Sequence, residues 1–311
     1  MKDVPSTEGV RIRRASQAIW EQALSLVFRD EPADVRLAWV RETLLGLGPG
    51  DPPREHLLVA CRGEQLVGAA WARRLPGRIG TVWPPRLVGG EPESTASRLL
   101  DELDGWLRRR SVDVAYALLP SPIAPDSELL ASRQFRHLAD LLYLSSCWEQ
   151  FPLSQPEGPL RFVPYTDSDR ERLSQLIEET YCHTLDMPAL NGLRQTEDVL
   201  EGYRHTGVFE PGRWLWVVHR DQAVGCLLLT DHPQPGHWEL MYMGLVPQVR
   251  GSGFGLQIAR HAQWLARRAG REILTLAVDS RNGPAVATYA KAGFAEFDRR
   301  SVFLKAYTAG R

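Results

Sequence analysis

Long apolar runs are missing from this 311-residue chain. No stretch approaches the roughly 18 consecutive apolar residues that a membrane-spanning helix needs, so no membrane partner is expected. Net charge is nearly missing too. A formal value of −1 gives no electrostatic case for nucleic acid or an anionic lipid surface as the main partner. Arginine greatly outnumbers lysine, but the basic residues are scattered among acids. The run Arg108-Arg109-Arg110 suits a solvated helix end better than a polyanion site. Cysteine is scarce: Cys61, Cys147, Cys182 and Cys226 are all there is. None are paired at metal-ligand spacing, and Met1 to Arg14 is polar and lacks the apolar core of a secretory signal. The expectation is reduced, mostly buried thiols in a cytoplasmic protein without a metal. What the chain does have is 43% hydrophobic and 24% charged residues, the balance of a globular core. Its length accommodates two domains.

The most informative stretch runs from Trp238 to Gly255. It reads as an apolar strand, a short turn at Val246-Pro247, and the glycine-rich loop Arg250-Gly251-Ser252-Gly253-Phe254-Gly255, with a helix starting at about Leu256. Three glycines at alternate positions permit backbone angles that a Cβ forbids. Just before a helix, such a loop turns several N–H groups toward one spot and makes an anion site. Two common phosphate loops fail on spacing. The P-loop ends in Gly-Lys-Ser/Thr, where Phe254-Gly255-Leu256 stands here. The dinucleotide fingerprint needs a further glycine at Leu256.

A second motif follows the strand Leu274 to Asp279. Asn282 precedes a helix that has Pro284 in its first turn, where the missing N–H is not needed. Ala285, Thr288 and Tyr289 fall on one face, and Gly293 stands where a left-handed cap is expected. Together, Arg250-x-x-Gly-x-Gly and the order Asn282, Ala285, Tyr289, Gly293, Phe294 resemble the GNAT superfamily of N-acetyltransferases. The resemblance implies an α/β fold, with a mixed, mostly antiparallel sheet flanked by helices. It also implies acetyl-CoA as co-substrate.

The chain further reads as two similar halves. Leu57 to Gly68 and Leu215 to Gly225 are both an apolar strand, a charged turn and a second strand opening on Val-Gly, which are hairpin signals. Gly68 precedes Gly225, and Gln134 precedes Gly293, by about the same 160 residues, as tandem duplication gives. The proline-rich stretch Gln150 to Leu160 reads as a linker. Two tandem GNAT-like domains are therefore expected, 1–150 and 151–311. The layout is similar to that of mycothiol synthase, a two-copy member. In the first half the loop Trp83 to Pro92 has misplaced glycines and donor-less prolines, Gln134 replaces the capping glycine, and Leu129-Leu130 offers no tyrosine. That half reads as a degenerate, structural copy.

In the second half the expected helices are Asp167 to Tyr181, Thr196 to Thr206, Leu256 to Ala269 and Pro284 to Ala292. The expected strands are Trp214 to His219, Ala223 to Asp231, Trp238 to Val246, Ile273 to Val278 and one near Phe297 to Lys305. By resemblance, backbone groups of Leu245 and Val246 hold the pantetheine arm, and an N–H there polarises the thioester. The loop from Arg250 to Gly255 holds the pyrophosphate, and Asn282 caps its helix and touches CoA. Glu239, an acid in an apolar strand, is the candidate general base, with His237, read as part of a turn, as its rival. Tyr289 is the candidate general acid. Glu178, Glu179 and Asp186 lie where the superfamily builds its acceptor pocket and suit a small-molecule or peptide amine. His183 with Asp186 is too small a set for a metal. An alternative within the fold is a mycothiol-synthase-like acetyl transfer to an aminosugar conjugate, and the reading of a different class is a non-catalytic acyl-CoA sensor. The presence of both Glu239 and Tyr289 favours an enzyme.

Overall fold

A computed structural model of the chain describes residues 9–46, 55–234 and 236–307. The start of the polar N-terminal stretch and Pro235 lie outside them. Two compact units are present, one within 1–119, 123–136 and 303–311, the other within 120–122 and 137–302.

The first unit contains β1 (Arg11–Arg14), α1 (Trp20–Val27), α2 (Ala33–Gly46), β2 (Glu55–Arg62), β3 (Gln65–Leu75), β4 (Ile79–Leu87), α3 (Glu93–Arg109), β5 (Val114–Leu119) and α4 (Asp126–Ser132). The strands lie in chain order, antiparallel except for β4 and β5, which run parallel. Leu99, Leu100, Leu103 and Leu107 make a buried stripe on α3 at helical spacing. That stripe packs with Leu58, Ala70 and Val82 of the sheet, while α1 and Phe28 pack with Trp71 and Val59.

The second unit contains β6 (Arg136–Cys147), β7 (Arg161–Pro164), α5 (Arg170–Tyr181), α6 (Thr196–Arg204), β8 (Trp214–His219), β9 (Gln222–His232), β10 (His237–Leu245), α7 (Phe254–Arg268), β11 (Ile273–Asp279), α8 (Gly283–Lys291) and β12 (Ala295–Ala306). Its strand order is β12-β6-β11-β10-β9-β8-β7, and β10 with β11 is parallel. The β8–β9 hairpin turns at Arg220 and Asp221, both at positive φ, as a tight two-residue hairpin requires. Leu227, Leu228 and Leu229 of β9 are all fully buried. A strand buried on consecutive residues is covered on both faces, here by α5 and α7.

Several expectations are corrected. The division at 150/151 is not the division in space, because β6 belongs to the second unit although it lies in the first half of the sequence. The end of β12 belongs to the first unit, where Phe303 joins the core. The stretch Gln150 to Leu160 is not a free linker: Phe151 and Leu160 are buried in the second core. Cys61 and Cys226 are buried, but Cys147 and Cys182 are exposed. Finally, His237 opens β10 rather than lying in a turn. Among the described residues no helix is long and apolar enough to cross a membrane, and no group of three or more His, Cys, Asp or Glu is arranged for a metal ion.

Candidate active site

The site begins where two strands part. β10 and β11 pair at Trp238↔Leu274 and Glu239↔Thr275. Beyond that point β10 stays bonded to β9, and β11 to β6. The register of β10 on β9 shifts between Leu240 and Tyr242, so Met241 is an extra residue. Such a bulge bends its strand, and here it turns β10 away from β11. The bulge also places Glu239 and Tyr242 on the same sheet face, which sequence alternation alone does not give.

The Val246 N–H donates to the Val224 carbonyl at 2.9 Å, so it is not available to hold an acyl group. Alternation along the strand turns the Leu245 N–H to the opposite edge, toward β11. Of the two N–H groups, that of Leu245 is the one facing the gap.

Gly251 and Gly253 have φ of +78° and +79°, and an added Cβ at either would meet nothing within 4 Å. Their role is conformational, and they leave open space above the loop. Gly253 is the N-cap of α7 and brings no side-chain acceptor. The first N–H groups of a 15-residue helix thus stand at an exposed loop without a side-chain cap. Ser252 is exposed beside them, and Phe254 packs near His219 at 5.0 Å. Gly255 serves packing, since its Cβ would press on Thr288 of α8 at 3.3 Å.

Arg250 has a role that the motif does not reveal. Its guanidinium donates to the carbonyls of Leu245 (3.0 Å), His183 (3.0 Å) and Thr180 (2.8 Å). The loop after α5 is tied equally to β11. Asp186 accepts from the Asp279 N–H at 2.9 Å, and Asp279 accepts from the Met187 N–H at 3.2 Å. His183 and Met187 adopt positive φ of 53° and 41° in this loop, a strain of the kind that needs surrounding contacts to hold it. The segment 180–187 therefore fixes the ends of both parted strands.

Glu239 accepts a hydrogen bond from His232 Nε2 at 2.8 Å, and His232 stacks on His237 at 4.8 Å. Burial and the neighbouring His232 hold His237 below the ordinary histidine range. Tyr289 is buried against Phe294, and burial, helped by the Asp186 charge, pushes its phenol well above the ordinary range. Asn282 accepts from the Ala285 N–H at 3.3 Å as the cap of α8. Glu178 and Glu179 are exposed on α5, whereas Asp186 is half-buried. The geometry thus gathers Asp186, Asn282 and Tyr289 and leaves the two glutamates at the surface.

The first unit shows the same frame without the groups. β4 and β5 pair only as far as Thr81↔Tyr116, so Thr81 stands where Glu239 does. Leu130 stands where Tyr289 does: Phe135 N–H closes on the Leu130 carbonyl, as Phe294 N–H closes on that of Tyr289. Between the strands, Arg86 bonds to Asp126 at the start of α4 (2.8 Å) and to Asp30 (2.6 Å). Glu91 lies at the entry to α3 and bonds Thr95 and Arg62. A carboxylate at that helix end opposes an anionic ligand.

The sequence profile of the Acetyltransferase (GNAT) family matches residues 179–294. That segment belongs to the GNAT family. A GCN5-related N-acetyltransferase from Sphaerobacter thermophilus shares the fold at 18% identity, with 97% of each chain covered and a TM-score of 0.63. A glucosamine N-acetyltransferase region of a fungal multi-domain β-N-acetylglucosaminidase shares it at 12% identity and a TM-score of 0.66, covering 98% of this chain and 39% of that one. A tandem GNAT protein from the clavulanic acid biosynthesis pathway does so at 14% identity, 97% and 100% coverage, and a TM-score of 0.52. No curated protein sequence matches.

Proposed function

We propose that the second unit transfers the acetyl group of acetyl-CoA to a primary amine. One observation carries this reading: β10 parts from β11 directly after Glu239 and leads into a loop and helix end with uncapped N–H groups. The residues fit the co-substrate, because the open space over Gly251 and Gly253 is where phosphates would sit. Acetyl-CoA brings an electrophilic thioester carbonyl and a thiolate leaving group.

Glu239 takes the proton from the ammonium, directly or through water, and frees the lone pair of the amine. The Leu245 N–H polarises the thioester carbonyl, and a donor of this kind contributes about 3 kcal/mol. As the N–C bond forms and the C–S bond breaks, Tyr289 gives its phenol proton to the sulfur. A phenol raised by burial remains protonated at neutral pH and can do so. Incubating the protein with ¹³C-acetyl-CoA and a panel of amines, then reading products by mass spectrometry, tests the reading. Labelled N-acetyl product is expected. Binding of acetyl-CoA with no labelled amide would leave only a binding module.

A further inference from the structure

Glu239 shares its sheet face with two histidines. β9 ends on His232, β10 opens on His237, and the two are paired in register. The Gly236 N–H closes the turn between them on the His232 carbonyl at 2.8 Å. Two residues along β10, Glu239 returns to the same face. It stands diagonal to His232 across the ladder, a separation that long side chains span. His232 Nε2 donates across it to the carboxylate oxygen Oε2 at 2.8 Å. The neighbours are engaged elsewhere. Thr230, directly opposite Glu239, gives its hydroxyl to the Thr206 carbonyl at 2.6 Å. Asp231 lies on the other face and accepts from Arg271 at 2.8 Å. The imidazole is itself held. His237 stacks on it at 4.8 Å, and the chain after α6 meets its edge, where a Cβ on Gly207 would lie 3.2 Å from Cε1. The first unit has the same hairpin without these groups. It closes on Leu75↔Ile79, with Thr81 where Glu239 stands. The two histidines and the glutamate are therefore absent as a set from the unit that lacks the site.

Resting on the acetyltransferase reading above, we infer that His232 is the positioning residue of the base. Its Nε2–H holds Oε2 of Glu239 and so fixes the carboxylate in one rotamer. Oε1, which has no hydrogen-bond partner among the described residues, is then the oxygen presented to the ammonium. Glu239 takes the ammonium proton at Oε1. His232 keeps its own proton, so none passes along the pair. A half-exposed carboxylate on its own samples several rotamers, and holding one of them removes a reorganisation from the reaction.

Steady-state kinetics test this, with ¹³C-acetyl-CoA and the amine of the panel that gives the most labelled product. His232→Leu should lower kcat about tenfold or more, because a hydrogen bond to a charged group is lost, with the KM for acetyl-CoA unchanged. His232→Gln places an amide donor at similar reach and should regain most of the rate. His232→Asn, with a shorter side chain, should not. In a Glu239→Gln background His232→Leu should cost nothing further, because the two residues act as a unit. A histidine that merely supports the hairpin would slow both backgrounds alike. Should His232→Leu not fold, the contrast between His232→Gln and His232→Asn decides: a faster Gln variant supports the inference, and equal rates overturn it. With Glu239→Gln slow, wild-type kcat in His232→Leu or equal losses in both backgrounds overturns this inference alone. Wild-type turnover in Glu239→Gln overturns it together with the base assignment. Absence of labelled product from every amine overturns it together with the acetyltransferase reading.

Discussion

Glu239 and Tyr289 sit in different surroundings, and their substitutions should read differently. Glu239 is half-exposed and bonded to His232. Glu239→Gln keeps that hydrogen bond but cannot take a proton, so turnover should fall roughly 10²-fold with acetyl-CoA affinity unchanged. Wild-type turnover would assign the proton to His232 or to water. Tyr289 is buried, and its phenol is raised above the ordinary value of about 10. Its deprotonation should therefore produce no alkaline decline between about pH 8 and 10, and Tyr289→Phe should lower the rate evenly across that window. An even rate in Tyr289→Phe equal to that of the wild type would contradict the role, and a wild-type decline that Tyr289→Phe removes would contradict the raised phenol. His261 of α7 gives a stability test. It lies flat on Phe162 at 3.6 Å, and burial pushes its imidazole down to about 4. The folded protein resists its protonation, so its contribution is complete above the unfolded value near 6.5 and is lost as pH falls toward 4. His56 titrates in the same window in the first unit. His261→Phe should reduce the fall in melting temperature between pH 7.5 and 5, a change on the order of 1–3 kcal/mol. An unchanged fall would place the acid sensitivity elsewhere.

At the scale of elements, the two copies of the last helix end alike with unlike residues. Gly293 closes α8 at φ +89°, and Gln134 closes α4 at φ +68°. A residue with a Cβ pays about 1 kcal/mol there, partly offset by the chain entropy that glycine brings. Gln134→Gly should thus raise stability by roughly 0.5 kcal/mol in denaturant unfolding, and a loss would show that Gln134 makes a needed contact. This cap was legible in the sequence because the glycine motif of one half exposes its absence in the other. The elements of the second half were legible for a similar reason. Apolar alternation and the Pro284 and Gly270 boundaries place them within three residues of their observed limits. The bulge at Met241 was not legible, because nothing about a methionine in an apolar strand announces an unpaired residue. The orientation of the Val246 N–H and the parting of β10 from β11 follow from pairing, not from residue type. The Arg250 clamp was hidden behind its place in a phosphate-loop motif. The packing of Tyr181, Tyr203 and Tyr242 was hidden because the three rings come from three elements.

At the scale of the whole molecule, the tandem origin was visible in a constant offset, but the exchange of a strand was not. Linear similarity is silent on which sheet a final strand joins, and so the division at 150/151 missed both β6 and the end of β12. Phe303 carries the consequence, since it lies far along the second half yet is buried in the first unit's core, with Lys305 bonded to Asp104 nearby. Phe303→Ala should destabilise the first unit by about 3–5 kcal/mol, read as early loss of Trp71 and Trp83 fluorescence on heating. A simultaneous, unshifted transition would deny it that place. We propose a single acetyl-CoA site, at the parted strands and the α7 end of the second unit, the matching positions of the first unit being taken by Arg86, Asp126 and Glu91. Titration calorimetry of acetyl-CoA into wild type and Gly253→Asp tests it most directly. The substituted carboxylate stands at the helix entry and repels phosphate. One acetyl-CoA per chain is expected in the wild type, with loss of binding in a folded Gly253→Asp protein. Two equivalent sites, or unaltered affinity in the variant, would contradict it.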